Sequence, residues 1–205
     1  MVEKRGMMKK TLYLMRHGET IFNVLGKIQG WCDSPLTPEG IKQAKIAGKY
    51  FRDHKITFDA AYSSTSERAS DTLELVTQNM MPYTRLKGLR EHGFGRFEGE
   101  SEDLNPIPPY GDFFVPYGGE GEIEVRKRIS STIVEIMKKE DHNQVLMVSH
   151  GGACINLMRE WQDYAKLNHK GRLPNCSILV YEFDSVDETL TLQDIVHHDF
   201  SMLDE

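Results

Sequence analysis

The sequence predicts an α/β fold, a three-layer α/β/α sandwich with a mainly parallel sheet and an antiparallel C-terminal strand. Short apolar runs alternate with segments of helical periodicity along most of the 205 residues. Such alternation is typical of a parallel sheet covered by helices on both faces. The last two apolar runs are joined only by the polar turn 184–188, which predicts a closing hairpin.

The strand candidates are apolar runs bounded by turn-forming residues. In chain order they comprise residues 11–15, 58–62, 85–89, 144–148, 177–183 and 189–196. Residues 21–36 are predicted to form a loop, because glycine, aspartate, serine and proline interrupt any pattern there.

The helix candidates carry apolar residues at a spacing of three to four. The first starts at Thr37-Pro38-Glu39, where threonine suits the N-cap, proline the first position and an acid the first turn. It extends to about residue 51. The hydroxyl groups of residues 63–66 are predicted to cap the second helix. The remaining candidates comprise residues 67–80, 120–139 and 151–164.

A chain of this length fits one domain. We predict a polar N-terminal tail at residues 1–8 and a single domain over residues 9–205. Within that domain, residues 100–119 are rich in proline, glycine and aromatic side chains and lack a helical pattern. They are predicted to be an excursion that covers a substrate.

Composition restricts the function. The 25 basic and 31 acidic residues give a net charge of −6, which argues against a general nucleic-acid binder. No apolar run approaches the ~18 residues of a membrane span, and the basic leader has no small-residue cleavage site. The three cysteines are widely separated without metal-ligand spacing. We therefore expect a cytoplasmic protein with reduced thiols and no metal site.

Two histidines share an unusual context, since His17 and His150 each follow an apolar strand and precede glycine. Strand ends of a parallel sheet converge on one crevice, so the two rings are predicted to be neighbours. Arg68, in the first turn of a helix, belongs to the same edge. A neutral imidazole can attack phosphorus, while Arg16, Arg68 and a protonated His150 neutralise the phosphate oxygens. Glu91 is the candidate proton donor.

The ordered motifs resemble the histidine phosphatase superfamily, the phosphoglycerate mutase-like group, over most of the chain. The matching residues are Arg16-His17-Gly18-Glu19-Thr20, Asn23, Gln29-Gly30, Pro35-Leu36-Thr37 with Gly40, Ser64, Arg68-Ala69, Thr72, Leu89-Arg90-Glu91, Phe97-Glu98-Gly99 and Val148-Ser149-His150-Gly151-Gly152. Phe22 and Phe97 depart mildly, because many relatives have tryptophan there. This puts substrate details in doubt and not the chemistry.

The resemblance implies a role for each matching residue. His17 would be transiently phosphorylated, and Glu91 would donate the proton and later activate water. Three residues would form the phosphate pocket: Arg16, Arg68 and His150. Four more would contact phosphate or substrate: Asn23, Gln29, Gly30 and the backbone at Gly151. No metal or cofactor is implied, and His92 is left as a possible pocket-wall residue.

The segment after Glu91 separates phosphatase from mutase. Mutases of the family use basic residues there to bind a second anionic group, but residues 97–125 contain no lysine, arginine or histidine and eight acids. We therefore predict a phosphatase whose aromatic cover selects a neutral or apolar leaving group, unless those rings merely pin an ordinary loop. A cofactor-dependent phosphoglycerate mutase and a non-catalytic phospho-ligand binding protein are the alternatives. The expected partner is a small phosphorylated metabolite, with no nucleic acid or membrane, and the chain is a monomer or homodimer.

Overall fold

The computed structural model describes residues 9–200, so the predicted tail at 1–8 lies outside the described residues. Its centre is one six-stranded sheet with the order β3-β2-β4-β1-β5-β6. The strands are β1 (Lys9–Arg16), β2 (Ala60–Ser64), β3 (Thr84–Leu86), β4 (Gln144–Ser149), β5 (Ile178–Asp184) and β6 (Thr189–Val196). All neighbours run parallel except β5, which is antiparallel to both β1 and β6. The predicted mainly parallel α/β sheet is confirmed.

Helices cover both faces of this sheet. They are α1 (Ile21–Val24), α2 (Pro38–Asp53), α3 (Glu67–Thr77), α4 (Glu122–Met137) and α5 (Gly151–Glu160). Because side chains alternate along a strand, Leu12 and Leu14 of β1 face the core formed with α4 and α5, while Tyr13 and Met15 face the core formed with α2 and α3. The sheet is therefore buried on both sides. Within residues 9–200, the structure contains no helix with the length and apolarity that a membrane crossing requires.

Short elements differ most from the sequence prediction. The loop predicted at 21–36 contains α1, a single turn stabilised by a capping box between Thr20 and Asn23. Four residues are too few for helical periodicity to show in a sequence. The strand predicted at 85–89 ends at residue 86 and continues as the 3₁₀ turn Lys87–Leu89. The other elements lie within two to four residues of their predicted bounds.

The predicted cap of α3 is also wrong. Ser66 occupies the N-cap position, but its side chain makes no capping hydrogen bond. Instead the amide of Glu67 donates to Asp33 Oδ2 at 2.5 Å. A carboxylate from a loop distant in sequence therefore stabilises the helix start.

Residues 100–119, here called the cover segment, lie against the loop that contains residues 26–28. The amide of Ile28 donates to Glu100 O at 2.8 Å, and that of Glu102 donates to Gly26 O at 2.8 Å. Phe114 is fully buried and contacts the rings of Phe94 and Tyr110. Phe114 and Tyr110 therefore share a small apolar core with Ile28, Phe94 and Phe97. The cover segment also contains the 3₁₀ turns Glu102–Leu104 and Val115–Tyr117.

Candidate active site

The register between β1 and β4 brings the two histidines together. Arg16 is paired with Ser149, so the next residue of each strand, His17 and His150, lies at the same carboxyl edge of the sheet. Their ring centroids are 5.2 Å apart. The two rings are therefore neighbours, as the sequence predicts.

The hydrogen bonds of each imidazole define its tautomer. His17 Nδ1 lies 2.7 Å from Gly18 O, and a carbonyl only accepts, so Nδ1 carries the proton and Nε2 keeps its lone pair. In His150, Nδ1 lies 2.9 Å from Arg68 Nη2, which only donates. The proton of neutral His150 is therefore on Nε2. One ring offers a nucleophile and the other a donor.

Burial favours the neutral form of both rings. Desolvation, then the positive charge of Arg68, lowers the pKa of His17 well below its usual value of 6.5. The same two causes lower the pKa of His150, with a further contribution from His17. Beside the arginines this buried ring favours the neutral form, and the protonated His150 that was expected to bind a phosphate stays a prediction.

Arg68 is fully buried and donates all five of its N–H groups to the protein. Its Nε donates to His17 Nε2 at 3.3 Å, and Nη2 donates to His150 Nδ1. The remaining acceptors are Gly30 O, Cys32 O and the carboxylate of Asp33. Since five acceptors match five donors, this guanidinium is held in one orientation beneath His17.

Glu91 is held against the start of α5. Its Oε1 accepts hydrogen bonds from the amides of His92 at 2.8 Å and Ala153 at 2.7 Å, and Oε2 accepts from Gly152 at 2.8 Å. The amides at this helix N-terminus, expected to serve phosphate, are thus partly used by Glu91. Among residues 9–200, Oε2 accepts only this one hydrogen bond, so it retains a lone pair for a proton.

A pocket of about 490 Å³ opens over His17. It is lined by Arg16, His17, Asn23, Ile28, Gln29, Glu91, Phe94, Glu102, Asn105, Pro108, Tyr110, Gly151, Gly152, Ile155, Arg159, Gly171, Arg172 and Leu173. Arg68 and His150 do not line it; both are fully buried beneath it. The predicted site residues are therefore arranged as a wall and a buried layer.

Several buried polar atoms of this site have no hydrogen-bond partner among residues 9–200. Three are nitrogens: Arg16 Nε, Gln29 Nε2 and His150 Nε2. Gln29 is oriented by Thr20 Oγ1, which donates to its Oε1 at 2.8 Å. Unpaired donors in a buried site are costly, so their convergence here indicates a site for an anion.

Of the other predicted contact residues, two line the pocket and one does not. Asn23 lines the pocket, and its Oδ1 accepts from Thr20 N and Asn175 Nδ2, both at 3.2 Å. Gly151 lines it too. Gly30, predicted to contact substrate, does not line the pocket; its carbonyl accepts from Arg68. A Cβ there would lie 2.7 Å from His92 O, so this glycine is needed for close packing.

His92 lies outside the pocket wall. Its Nε2 donates to Glu120 O at 2.8 Å, and its ring stacks on Phe94 with centroids 4.8 Å apart. It supports the wall from behind.

Two acidic residues of the segment after Glu91 are bound by local partners. Glu98 accepts from the amides of Trp31, Cys32 and Phe94. Glu120 pairs with Arg128 at 2.7 Å. Among the predicted acids of residues 97–125, only Glu102 lines the pocket.

Sequence reasoning missed two cations of the pocket wall. Arg159, from α5, and Arg172, from the loop before β5, both line the pocket. They lie far from the segment in which basic residues were sought. They can be recognised only in the three-dimensional structure, where they lie in the pocket wall together with residues of the cover segment.

Across residues 9–200, no group of three or more His, Cys, Asp or Glu side chains is arranged to hold a metal ion.

Comparisons with known proteins agree with this geometry. The sequence profile of the histidine phosphatase superfamily (branch 1) matches residues 12–195. A broad-specificity phosphatase of Saccharomyces cerevisiae is 30% identical over 182 residues, 84% of this chain and 79% of that protein. A 2,3-bisphosphoglycerate-dependent phosphoglycerate mutase of Bradyrhizobium sp. is 35% identical over 101 residues, 47% of this chain and 49% of the mutase. The match thus spans about half the length of that relative.

A solved structure has the same fold. The phosphoserine phosphatase of Entamoeba histolytica, in complex with 3-phosphoglyceric acid, superposes with a TM-score of 0.75 at 27% identity. The match covers 93% of this chain and 98% of that one.

Proposed function

The chain belongs to the histidine phosphatase superfamily (branch 1), and from this membership we propose that it is a metal-independent phosphatase of small phosphomonoesters. The observation that carries the proposal is the tautomer of His17. Its Nε2 has a lone pair at the floor of a pocket rich in unpaired donors. Such an imidazole needs no base to act as a nucleophile.

In the first step, His17 Nε2 attacks phosphorus as the phosphate displaces Arg68 Nε from that nitrogen. The N–P bond forms, the ester P–O bond breaks, and Glu91 Oε2 gives its proton to the leaving alkoxide. Four groups stabilise the equatorial oxygens: Arg16 Nε, Gln29 Nε2, His150 Nε2–H and the guanidinium of Arg68. Asn23 and Gly151 complete the phosphate wall.

In the second step, water attacks the phosphohistidine. Glu91 takes a proton from that water, the N–P bond breaks, and inorganic phosphate leaves with His17 restored. The three amides that bind Glu91 orient it for both transfers.

The experiment is a panel of phosphomonoesters assayed for phosphate release without added metal, with vanadate as inhibitor. Glu91→Gln should lower kcat for alkyl phosphates by about 10²- to 10⁴-fold, the usual contribution of a general acid. The loss should be smaller for p-nitrophenyl phosphate, whose leaving group needs no proton.

Glu98→Gln is the matched control, because Glu98 also accepts three backbone amides but does not line the pocket. Equal losses in the two variants would reject Glu91 as the proton donor and indicate a structural effect.

Phosphoglycerate mutase activity is the second candidate, favoured by the mutase relative and by Arg159 and Arg172, which can bind a second anionic group. Supplying 3-phosphoglycerate with 2,3-bisphosphoglycerate distinguishes the two. Formation of 2-phosphoglycerate faster than phosphate release would identify a mutase.

A further inference from the structure

An ion pair joins two segments of the pocket wall. Arg172 Nη2 donates to Glu102 Oε1, which joins the loop before β5 to the cover segment. Both residues line the pocket, with side chains 67% and 29% exposed. An exposed pair of this kind contributes little to stability, so exchanging its carboxylate for another costs little.

The loop that carries Arg172 is anchored to the phosphate site. Arg16 Nη1 donates to the carbonyl of Leu173, the next residue, which is fully buried. The positive charge of Arg172 also helps burial to lower the pKa of Arg16. Arg172 and the phosphate-binding arginine are therefore neighbours across the pocket.

A second cation lies on the same wall. Arg159 donates to Glu122, and Arg126 donates to the same oxygen of Glu122 at 2.7 Å. Two guanidinium groups thus share one carboxylate, which leaves an excess positive charge beside the pocket. The wall also contains an acceptor, since Asn105 Oδ1 is buried without a hydrogen-bond partner among residues 9–200.

We propose that Arg172, assisted by Arg159, binds the carboxylate of a substrate that also carries an ammonium or hydroxyl group, and that Glu102 occupies Arg172 until that substrate arrives. Once displaced, Glu102 and Asn105 Oδ1 accept hydrogen bonds from the second group. The substrate class is a phosphomonoester of a small amino or hydroxy acid. This inference rests on the proposed phosphatase function and replaces the neutral or apolar leaving group predicted from the sequence.

The test compares kcat/KM for four phosphomonoesters. Phosphoserine carries carboxylate and ammonium, phosphoglycolate only the carboxylate, phosphoethanolamine only the ammonium, and ethyl phosphate neither. In Arg172→Met, the ratio of phosphoglycolate to ethyl phosphate kcat/KM should fall about 10- to 100-fold, the usual range for a lost charged hydrogen bond. Arg172→Lys should restore part of it, and Arg96→Met, at an exposed arginine outside the pocket, should leave it at the wild-type value.

Glu102→Gln separates the two functions of the glutamate. Removing the internal competitor should raise kcat/KM for phosphoglycolate, whereas losing the ammonium partner should lower it for phosphoethanolamine. If kcat/KM changed in the same direction for both substrates, the proposed displacement of Glu102 from Arg172 would be rejected. An equal loss of kcat/KM for all four substrates in Arg172→Met would reject the carboxylate site.

Failure of the carboxylate site can be distinguished from failure of the phosphatase proposal. Hydrolysis of ethyl phosphate without preference for phosphoglycolate would reject the carboxylate site alone. If no ester is hydrolysed, calorimetric titration of His17→Ala protein with phosphoglycolate and ethyl phosphate still measures the preference. Equal affinities there would also reject it.

Discussion

Arg68, which is proposed to bind phosphate, donates all five of its N–H groups to other residues of the protein. Its longest bond, 3.3 Å, is the one to His17 Nε2. Phosphate can therefore take this donor without disturbing the shorter bonds to Gly30 and Asp33. In the proposed mechanism, binding of the anion and exposure of the lone pair on His17 Nε2 are therefore one event.

Arg68→Lys should keep the positive charge but lose the planar array of N–H donors that a guanidinium provides. An ammonium has three donors for five acceptors, so we expect kcat/KM to fall about 10²- to 10³-fold, as for loss of a preorganised donor. Arg85→Lys, at an exposed arginine paired with Glu67, should stay near wild type in steady-state assays. Equal kinetics of the Arg68 and Arg85 variants would show that positive charge alone suffices.

At the residue scale, sequence reasoning identified groups that follow strand ends or helix starts. His17, His150, Arg68 and Glu91 were found because short motifs surround them. Arg159 and Arg172 were not, because their place in the wall depends on how loops from different parts of the chain meet. Gly30 was assigned to substrate, although its small size serves close packing and its carbonyl positions Arg68.

At the scale of elements, α5 joins Glu91, the proposed proton donor, to the edge of the sheet. It begins directly after His150, and its first amides bind Glu91. A Cβ at residue 152 would lie 2.6 Å from Glu91 Oε1. That glycine is therefore required for the carboxylate to reach the helix start.

Gly152→Ala should displace Glu91 and lower kcat for alkyl phosphates by about tenfold or more, within the range of an impaired general acid. The burst of p-nitrophenol in pre-steady-state kinetics should change less. Circular dichroism checks that α5 persists. An unchanged kcat for alkyl phosphates would mean that Glu91 needs no support from this helix.

The N-cap of helix α2, Thr37, is the helix start that the sequence predicts. Thr37 accepts from the amide of Gly40 at 2.9 Å and donates to Glu19 Oε1 at 2.7 Å. Thr37→Ala should lower the free energy of unfolding by about 1 kcal/mol, the usual value of an N-cap. Thr37→Ser should retain most of it. Urea denaturation measures both, and equal stabilities of the two variants would contradict the cap.

The element order, the sheet direction and the Thr37 cap could be predicted because apolar periodicity and N-cap preferences are local properties. The turn α1, the cap of α3 by Asp33 and the 3₁₀ end of the strand at residue 86 could not. The cap of α3 depends on a hydrogen bond between residues that no short window of sequence relates. The turn α1 and the 3₁₀ turn Lys87–Leu89 are too short for a periodic pattern to show.

At the scale of the whole molecule, two buried neutral histidines couple stability to pH. Burial lowers the pKa of His17 and His150 in the folded state, whereas in the unfolded chain both titrate near 6.5. Below pH 6.5 the unfolded state therefore binds more protons than the folded state, and stability falls as pH falls.

The free energy of unfolding should accordingly decrease between pH 7 and pH 5, by up to about 1 kcal/mol per pH unit for each histidine. His150→Asn removes one of these groups and should make the decrease shallower. Urea denaturation across this range tests the difference. An identical slope in the wild type and the variant would show that His150 is not held neutral by the fold.

The central claim is that phosphate passes through His17. Rapid quenching of the protein with ³²P-labelled substrate, followed by peptide mapping, measures it most directly. We predict a base-stable, acid-labile label on His17 that forms and decays at rates compatible with turnover, and that is absent together with activity in His17→Ala. Full turnover without a label at this residue, or turnover retained in His17→Ala, would contradict the account.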